Sequence, residues 1–397
     1  MFNKKLMKTI GFGLFLFTIC FGIISCTYAA DVGNDTNTTN QTNLKSNVTI
    51  DPKTIGGLKE AINSVKINGT VYLKNGVYTG TNNTGITINK SINIVGLGSK
   101  VTIDAQGKRQ IFIISNGDVT LKKLKLINGN ANGLNKLGGA IYCKKGSLTV
   151  SNCIFTANKA NIGGAIYADK FSLIVNNCTF TKNQAKSGGA IACYEKTTIN
   201  KSTFKNNKAT VEGGAIDSIE STINNSVFTS NQAKNGGAIC SLQSTIFKCT
   251  FNSNQGTYGG AIFDGRDSTV NNCKFTSNKA KENGGAIYEN GWSLDENNST
   301  VNNSFKVNNS TFTKNQAKNG GALYSKGNIS IEKCTFEKNK ATQKGGAIYN
   351  LAKPLKIIDS KLKSNIAGKK YNAIYSKNTI SKKNVTITPK DGTKVKK

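Results

Sequence analysis

Two short motifs alternate in phase through most of this 397-residue chain, which restricts it to a stack of near-identical coils. The first glycine of a Gly-Gly-Ala-Ile/Leu unit stands at Gly138, Gly163, Gly188, Gly213, Gly236, Gly259, Gly284, Gly320 and Gly345, with a worn tenth copy at Asn372-Ala373-Ile374-Tyr375. The steps between copies are 25, 25, 25, 23, 23, 25, 36 and 25 residues. Between them runs Phe-x-x-Asn, at Phe155/Asn158, Phe180/Asn183, Phe204/Asn207, Phe228/Asn231, Phe251/Asn254, Phe275/Asn278, Phe312/Asn315 and Phe336/Asn339, with Leu362/Asn365 as a degenerate ninth. A unit this short cannot bury its own apolar face, so neighbours must stack.

Helical repeats need longer apolar stripes at i, i+3 and i+4, and none is present. Residues 147–158, Ser-Leu-Thr-Val-Ser-Asn-Cys-Ile-Phe-Thr-Ala-Asn, alternate in short runs broken by polar turn residues. That pattern predicts strands of about three to five residues joined by tight turns, one coil of a parallel β-helix in an all-β, single-stranded solenoid. Coils rise by one strand spacing, about 4.8 Å, so a fixed repeat position lies over its counterpart. The Phe column then reads as an interior aromatic stack. The Asn column, unvaried in nine copies, reads as an amide ladder that satisfies buried turn backbone; its repetition in register argues against a catalytic asparagine. The glycines fit a corner needing positive φ or close backbone approach, and no helix or Lys-Ser/Thr follows to make a phosphate loop.

Gly-Gly-Ala-[Ile/Leu/Val] alternating with Phe-x-x-Asn resembles the repeats of the chlamydial polymorphic outer-membrane proteins and of the adhesin-like surface proteins of methanogenic archaea. The resemblance covers roughly residues 49–388. It implies a right-handed parallel β-helix of the pectate-lyase-like shape and a place at the cell surface. The chlamydial proteins end in a membrane β-barrel, whereas Lys394-Val395-Lys396-Lys397 follows the last coil here, so attachment by that route is not expected.

Residues 1–30 read as a signal peptide: Lys4, Lys5 and Lys8, an apolar run from Ile10 to Ile24, and small residues at Ala29-Ala30. Ile23-Ile24-Ser25-Cys26 offers a rival lipoprotein-type cut before Cys26. Removal of the signal leaves no predicted transmembrane span. Residues 31–48 are an Asn/Thr-rich stretch predicted to be a disordered spacer. Residues 49–130 hold a cap and about three irregular opening coils. In the cap, Thr54–Val65 places Ile55, Leu58, Ala61, Ile62 and Val65 on one face of a short N-terminal capping helix. Residues 131–378 carry the repeats, and 379–397 a closing strand, Thr379–Thr388, with a basic tail. The 36-residue step contains an insertion of 11 residues around Trp292, the only tryptophan, expected to project as a loop.

Lysine plus arginine outnumber acids 53 to 21, and Arg109 and Arg266 are the only arginines. Lysine is a diffuse charge, so this excess implies attraction to an anionic surface, such as a cell-wall polymer, rather than bidentate recognition, and a secretion signal excludes nucleic acid as the purpose. Cys153, Cys178, Cys249, Cys273 and Cys334 share a column with Ser202, Ser226, Ser310 and Ser360, which predicts buried and mostly free thiols. There is no histidine, removing the usual general base and metal ligand. The nearest acid cluster is Asp264-Gly265-Arg266-Asp267, with Asp217 from a lower coil, and it reads better as a salt-bridged turn than as a glycosidase pair. The expected protein is a secreted, non-enzymatic adhesin needing no cofactor or metal, which binds glycans or proteins of another cell; a carbohydrate-active enzyme and an envelope spacer are the alternatives. Strand alternation points the residue after each Gly-Gly-Ala-Ile outward. Tyr288, Tyr324 and Tyr349, with Trp292 nearby, are therefore the predicted binding residues, as an exposed run of rings or as rings that stack to shield the sheet.

Overall fold

Alternating runs of three to five residues give short strands, and these pair strictly one repeat apart. The computed structural model describes residues 44–131, 136–168, 172–265, 267–291, 304–351, 354–368, 372–389 and 394–395. Each regular coil supplies three strands, as in Ile141–Cys143 for sheet 1, Ser147–Ser151 for sheet 2 and Ile154–Thr156 for sheet 3, and several add a fourth ahead of the glycine pair, as in Lys208–Glu212 and Gln255–Tyr258. Sheets 1 and 3 have 13 strands and sheet 2 has 14. Pairing is parallel and in register, Ile141 with Ile166, Leu148 with Leu173, Phe155 with Phe180. The expected parallel β-solenoid is the fold.

Inward positions make one continuous interior. The eight Phe rings from Phe155 to Phe336 are fully buried, with successive centroids 4.7 to 4.9 Å apart and planes within 7° of parallel. Translation by one strand spacing forces this face-on stack, because in-register parallel strands cannot offer an edge to a face.

The ladder of asparagines uses every polar atom it has. Asn207 Oδ1 accepts from the backbone N and the Nδ2 of Asn183, both at 3.0 Å. Its Nδ2 donates to the Phe180 carbonyl at 2.9 Å and to Asn231 Oδ1 at 3.0 Å. These bonds hold a corner whose preceding residue, Asn206, is left-handed at φ 55°. The Cys/Ser column does the same at the corner between sheets 2 and 3: Ser202 Oγ accepts from Cys178 N at 3.1 Å and donates to the Asn200 carbonyl at 2.8 Å. All eight described cysteines are buried, and none of them is in a disulfide.

The glycine pair satisfies both reasons given for it. Gly213 has φ 55°, and a Cβ there would sit 1.9 Å from the Ile216 carbonyl oxygen; one on Gly214 would sit 2.0 Å from that of Gly237. The corner therefore folds the residue ahead of the pair back beside the residue that follows the isoleucine. This geometry builds the surface described next.

At the first coil the helix is Gly57–Ser64 rather than Thr54–Val65. Gly56 and Gly57 have φ of 74° and 60°, which delays its start and leaves Ile55 94% exposed instead of on the apolar face. Leu58, Ala61 and Ile62 are buried as expected, against the strands Lys45–Ile50 and Val65–Leu73. Lys45–Ile50 corrects the spacer boundary: the ladder already runs through residues assigned to 31–48, since Val48 and Ile50 alternate toward the core. In the opening coils the apolar run Val119–Leu126 is divided between two strands, Asp118–Lys122 and Lys125–Ile127, at left-handed Lys123. The closing strand likewise divides into Ile380–Lys383 and Thr386–Thr388. The signal peptide, Cys26, Arg266 and the insertion with Trp292 lie outside the described residues.

Candidate functional site

The outer face of sheet 1 is floored by one column: Tyr142, Tyr167, Ala192, Asp217, Cys240, Phe263, Tyr288, Tyr324, Tyr349 and Tyr375, each paired in register with the next. None of these side chains belongs to the interior cluster, whereas Ile216 and Ile287, one residue earlier, do. The outward orientation read from strand alternation is therefore the observed one.

Five rings from Phe263 to Tyr375 form an unbroken stack, with Tyr288, Tyr324 and Tyr349 spaced at 5.0 and 4.9 Å. Their exposure differs from expectation. Tyr288 is 4% and Tyr324 6% exposed, while Tyr349 and Tyr375 are partly open. Two contacts close the rings: stacking covers their faces, and the glycine corner brings the column ahead of it alongside, with Tyr258 5.4 Å from Tyr288. Lysines rim the stack, Lys326 Nζ 5.6 Å from the Tyr288 centroid and Lys344 Nζ 4.7 Å from that of Tyr375. Burial, then repulsion from Tyr349, pushes the Tyr324 phenol up to about 12, so it stays a neutral hydroxyl.

A shorter aromatic group, Tyr142, Tyr167 and Tyr194, sits nearer the N-terminus, its centroids 5.6 and 6.2 Å apart. Between the two groups lie Ala192, Asp217 and Cys240. The corner sets Glu212 beside Asp217, and both carboxyls are buried, at 8% and 6% exposure. Tyr194 donates its hydroxyl to Asp217 Oδ2 at 3.0 Å. Burial, then repulsion from Asp217, pushes Glu212 up to about 8; burial pushes Asp217 up to about 6 against the lowering effect of the Tyr194 bond.

A carboxyl whose folded pKa is raised binds more protons folded than unfolded, so its contribution is present below the unfolded pKa and lost as pH rises through the folded value. Stability should thus fall between about pH 4.5 and 8, the interval set by Glu212. Glu212→Gln should flatten that slope in urea titrations at pH 5, 6.5 and 8. Parallel curves for parent and variant would contradict the assignment.

Sequence reasoning placed Asp217 with Asp264 and Asp267, and the fold separates them. Asp264 is fully buried on the inner side of sheet 1, accepting from Ser241 Oγ at 3.1 Å, while Asp267 is exposed at a left-handed corner. The true neighbour, Glu212, was missed because only the column after the corner was compared. Glu289, also missed, lies above Asp264 and anchors the base of the insertion. It accepts from the backbone N of Gly291 and Gly327 at 2.6 Å, from Lys326 N at 3.1 Å and from Ser325 Oγ at 2.7 Å.

Seven segments of these coils, residues 152–169, 177–194, 201–218, 225–242, 272–288, 309–326 and 333–351, match the Chlamydia polymorphic membrane protein repeat. The coils are similar to that repeat. No curated protein matches the chain. Among solved structures, the catalytic domain of a GH87 α-1,3-glucanase bound to nigerose is 12% identical, with a TM-score of 0.51 over 89% of this chain and 69% of that one. The Streptococcus pneumoniae surface protein and adhesin PfbA is 12% identical, with a TM-score of 0.47 over 88% and 99%. A mannuronic acid specific family 6 polysaccharide lyase from human gut microbiota is 11% identical, with a TM-score of 0.43 over 84% and 91%. At such identity the likeness to the glucanase shows a shared fold and nothing of its chemistry. Among the described residues no helix is long and apolar enough to cross a membrane.

Proposed function

We propose that this is a secreted, cell-surface, adhesin-like protein that engages glycans or proteins of a neighbouring cell along the outer face of sheet 1, without catalysing a reaction. The resemblance to adhesin-like proteins of methanogenic archaea and the polymorphic-membrane-protein-like repeats both support this reading. The observation that carries it is the stack from Phe263 to Tyr375, five rings on the outside of a rigid sheet, rimmed by Lys326 and Lys344. Phe263, Tyr288 and Tyr324 shield the sheet, whereas the partly open rings of Tyr349 and Tyr375 are available to a partner, and aromatic anchors bury large area at low entropic cost. The lysine excess adds long-range attraction to anionic polymer without setting specificity.

Tyr349 and Tyr375 are the rings to test, since Tyr288 and Tyr324 are packing residues as well. The double variant Tyr349→Ser, Tyr375→Ser should lose at least tenfold in retention on whole cells and glycan arrays while its circular dichroism stays β-rich. Undiminished retention would remove the face from consideration. Reducing-sugar and unsaturated-product assays on acidic polysaccharides should stay at blank level, and turnover would overturn the non-catalytic part of the reading.

A further inference from the structure

The gap between the two aromatic groups is chemically unlike the rest of the surface. Two carboxyls are buried side by side there, although buried acids are ordinarily paired with a cation or fully hydrogen-bonded. Asp217 has the Tyr194 hydroxyl, but Glu212 Oε1 is buried with no hydrogen-bond partner. The chain has 53 basic residues, yet the ion pairs among the described residues are Lys318 with Glu282, Lys333 with Glu332 and Lys338 with Glu337, all elsewhere. Tyr167 and Tyr194 flank the acids on one side and Cys240 on the other, and the column between the two aromatic groups carries only the smaller side chains Ala192, Asp217 and Cys240.

A primary ammonium has three donors and no acceptor, so it is best held by two carboxylates with an aromatic face beside them. The carboxyls of Glu212 and Asp217, with Tyr194 beside them, supply that set. We propose that they form a subsite for the ammonium of an unacetylated amino sugar within a glycan lying along sheet 1. This rests on the reading of that face as the binding surface. Rings both above and below the gap favour a sugar chain over an isolated lysine, because neighbouring units would meet further aromatic side chains. The positive charge of the whole protein does not prevent the contact, since exposed charges beyond a Debye length of about 10 Å are screened, while the acid pair would touch the ligand.

Binding should also move a proton. The groups facing the pair are Tyr194, Tyr167 and Cys240, and none of these is a base. With Glu212 raised to about 8, the pair holds a proton at neutral pH that an arriving ammonium would displace.

Calorimetry on the mature chain at pH 7, in two buffers of different ionisation enthalpy, should compare a glucosamine tetrasaccharide, its fully N-acetylated counterpart and tetralysine. The expected result is at least tenfold preference for the amino over the acetylated sugar, with proton release, and loss of both in Glu212→Gln and Asp217→Asn variants that remain β-rich. Equal or absent binding of the two sugars, or a preference that survives both substitutions, overturns the subsite; if the parent protein still adheres to cells, the broader reading of sheet 1 stands. Tetralysine binding as tightly as glucosamine overturns the glycan assignment. Failure of the parent to adhere to any cell or glycan removes the broader reading and the subsite together.

Discussion

Replacing Phe228 by alanine will cost about 3–5 kcal/mol of stability, the range for emptying a buried aromatic site that cannot collapse. Collapse is prevented from both sides. The ring is 4.9 Å from Phe204 and 4.8 Å from Phe251, and all three are fully buried on strands fixed in register. In a solenoid each coil contacts only its neighbours, so the loss is local before it is global. Native-state hydrogen exchange should therefore quicken first in residues 204–251 and little at the ends. Phe228→Leu should cost much less, under about 2 kcal/mol, because Leu362 occupies the same column fully buried in the chain's own last repeat. Uniform exchange in both variants, with an unchanged denaturation midpoint, would show that the column does not carry the core.

Columns of this kind were legible because a solenoid repeats its physics. Whatever suits Phe155 suits Phe180 one strand spacing above it, and identity at a fixed phase is enough to infer burial. Single positions were less readable. Ile55 fits an apolar helical stripe, yet two left-handed glycines set the helix start beyond it. Tyr288 and Tyr324 were rightly placed outside the sheet, but alternation says only which face a side chain takes, not what folds over that face. The covering column comes from residues before the glycine corner, and its approach depends on backbone geometry that composition does not show. Glu212 and Asp217 illustrate the same limit: five residues apart, on opposite sides of Gly213-Gly214, they meet because Gly213 turns through φ 55°.

The position of the acids also bears on how the fold distributes tolerance. Inside, the fully buried Asn and Phe columns are held to one size and polarity by the coils above and below. On the outer face of sheet 1 the same register accepts Ala192, Asp217, Cys240, Phe263 and Tyr288 in successive coils. Variation there leaves the stack intact, which is how one scaffold can present different surfaces to different partners.

Removing Asn231 will cost less than loss of the Phe, through hydrogen bonds rather than a cavity. Its Oδ1 accepts from Asn207 N and Asn207 Nδ2, both at 3.0 Å, and its Nδ2 donates to the Phe204 carbonyl at 2.9 Å and Asn254 Oδ1 at 3.0 Å. In Asn231→Ala, Asn207 Nδ2 keeps the Phe180 carbonyl and Asn254 Oδ1 keeps the backbone N of residue 231. The Asn207 amide N is left buried without a partner, while the Phe204 carbonyl keeps its ladder bond to the next strand, so the expected loss is about 1–3 kcal/mol. Asn231→Asp separates this account from simple packing. Aspartate has nearly the same shape and can still accept from Asn207, but an ionised carboxylate would set one oxygen against the Phe204 carbonyl and Asn254 Oδ1 and would bury a charge. It should therefore be at least as damaging as alanine at pH 7 and recover part of its stability near pH 4, where protonation restores one donor. An aspartate variant as stable as the parent at pH 7 would mean that the asparagines fill space and that their amide ladder contributes nothing.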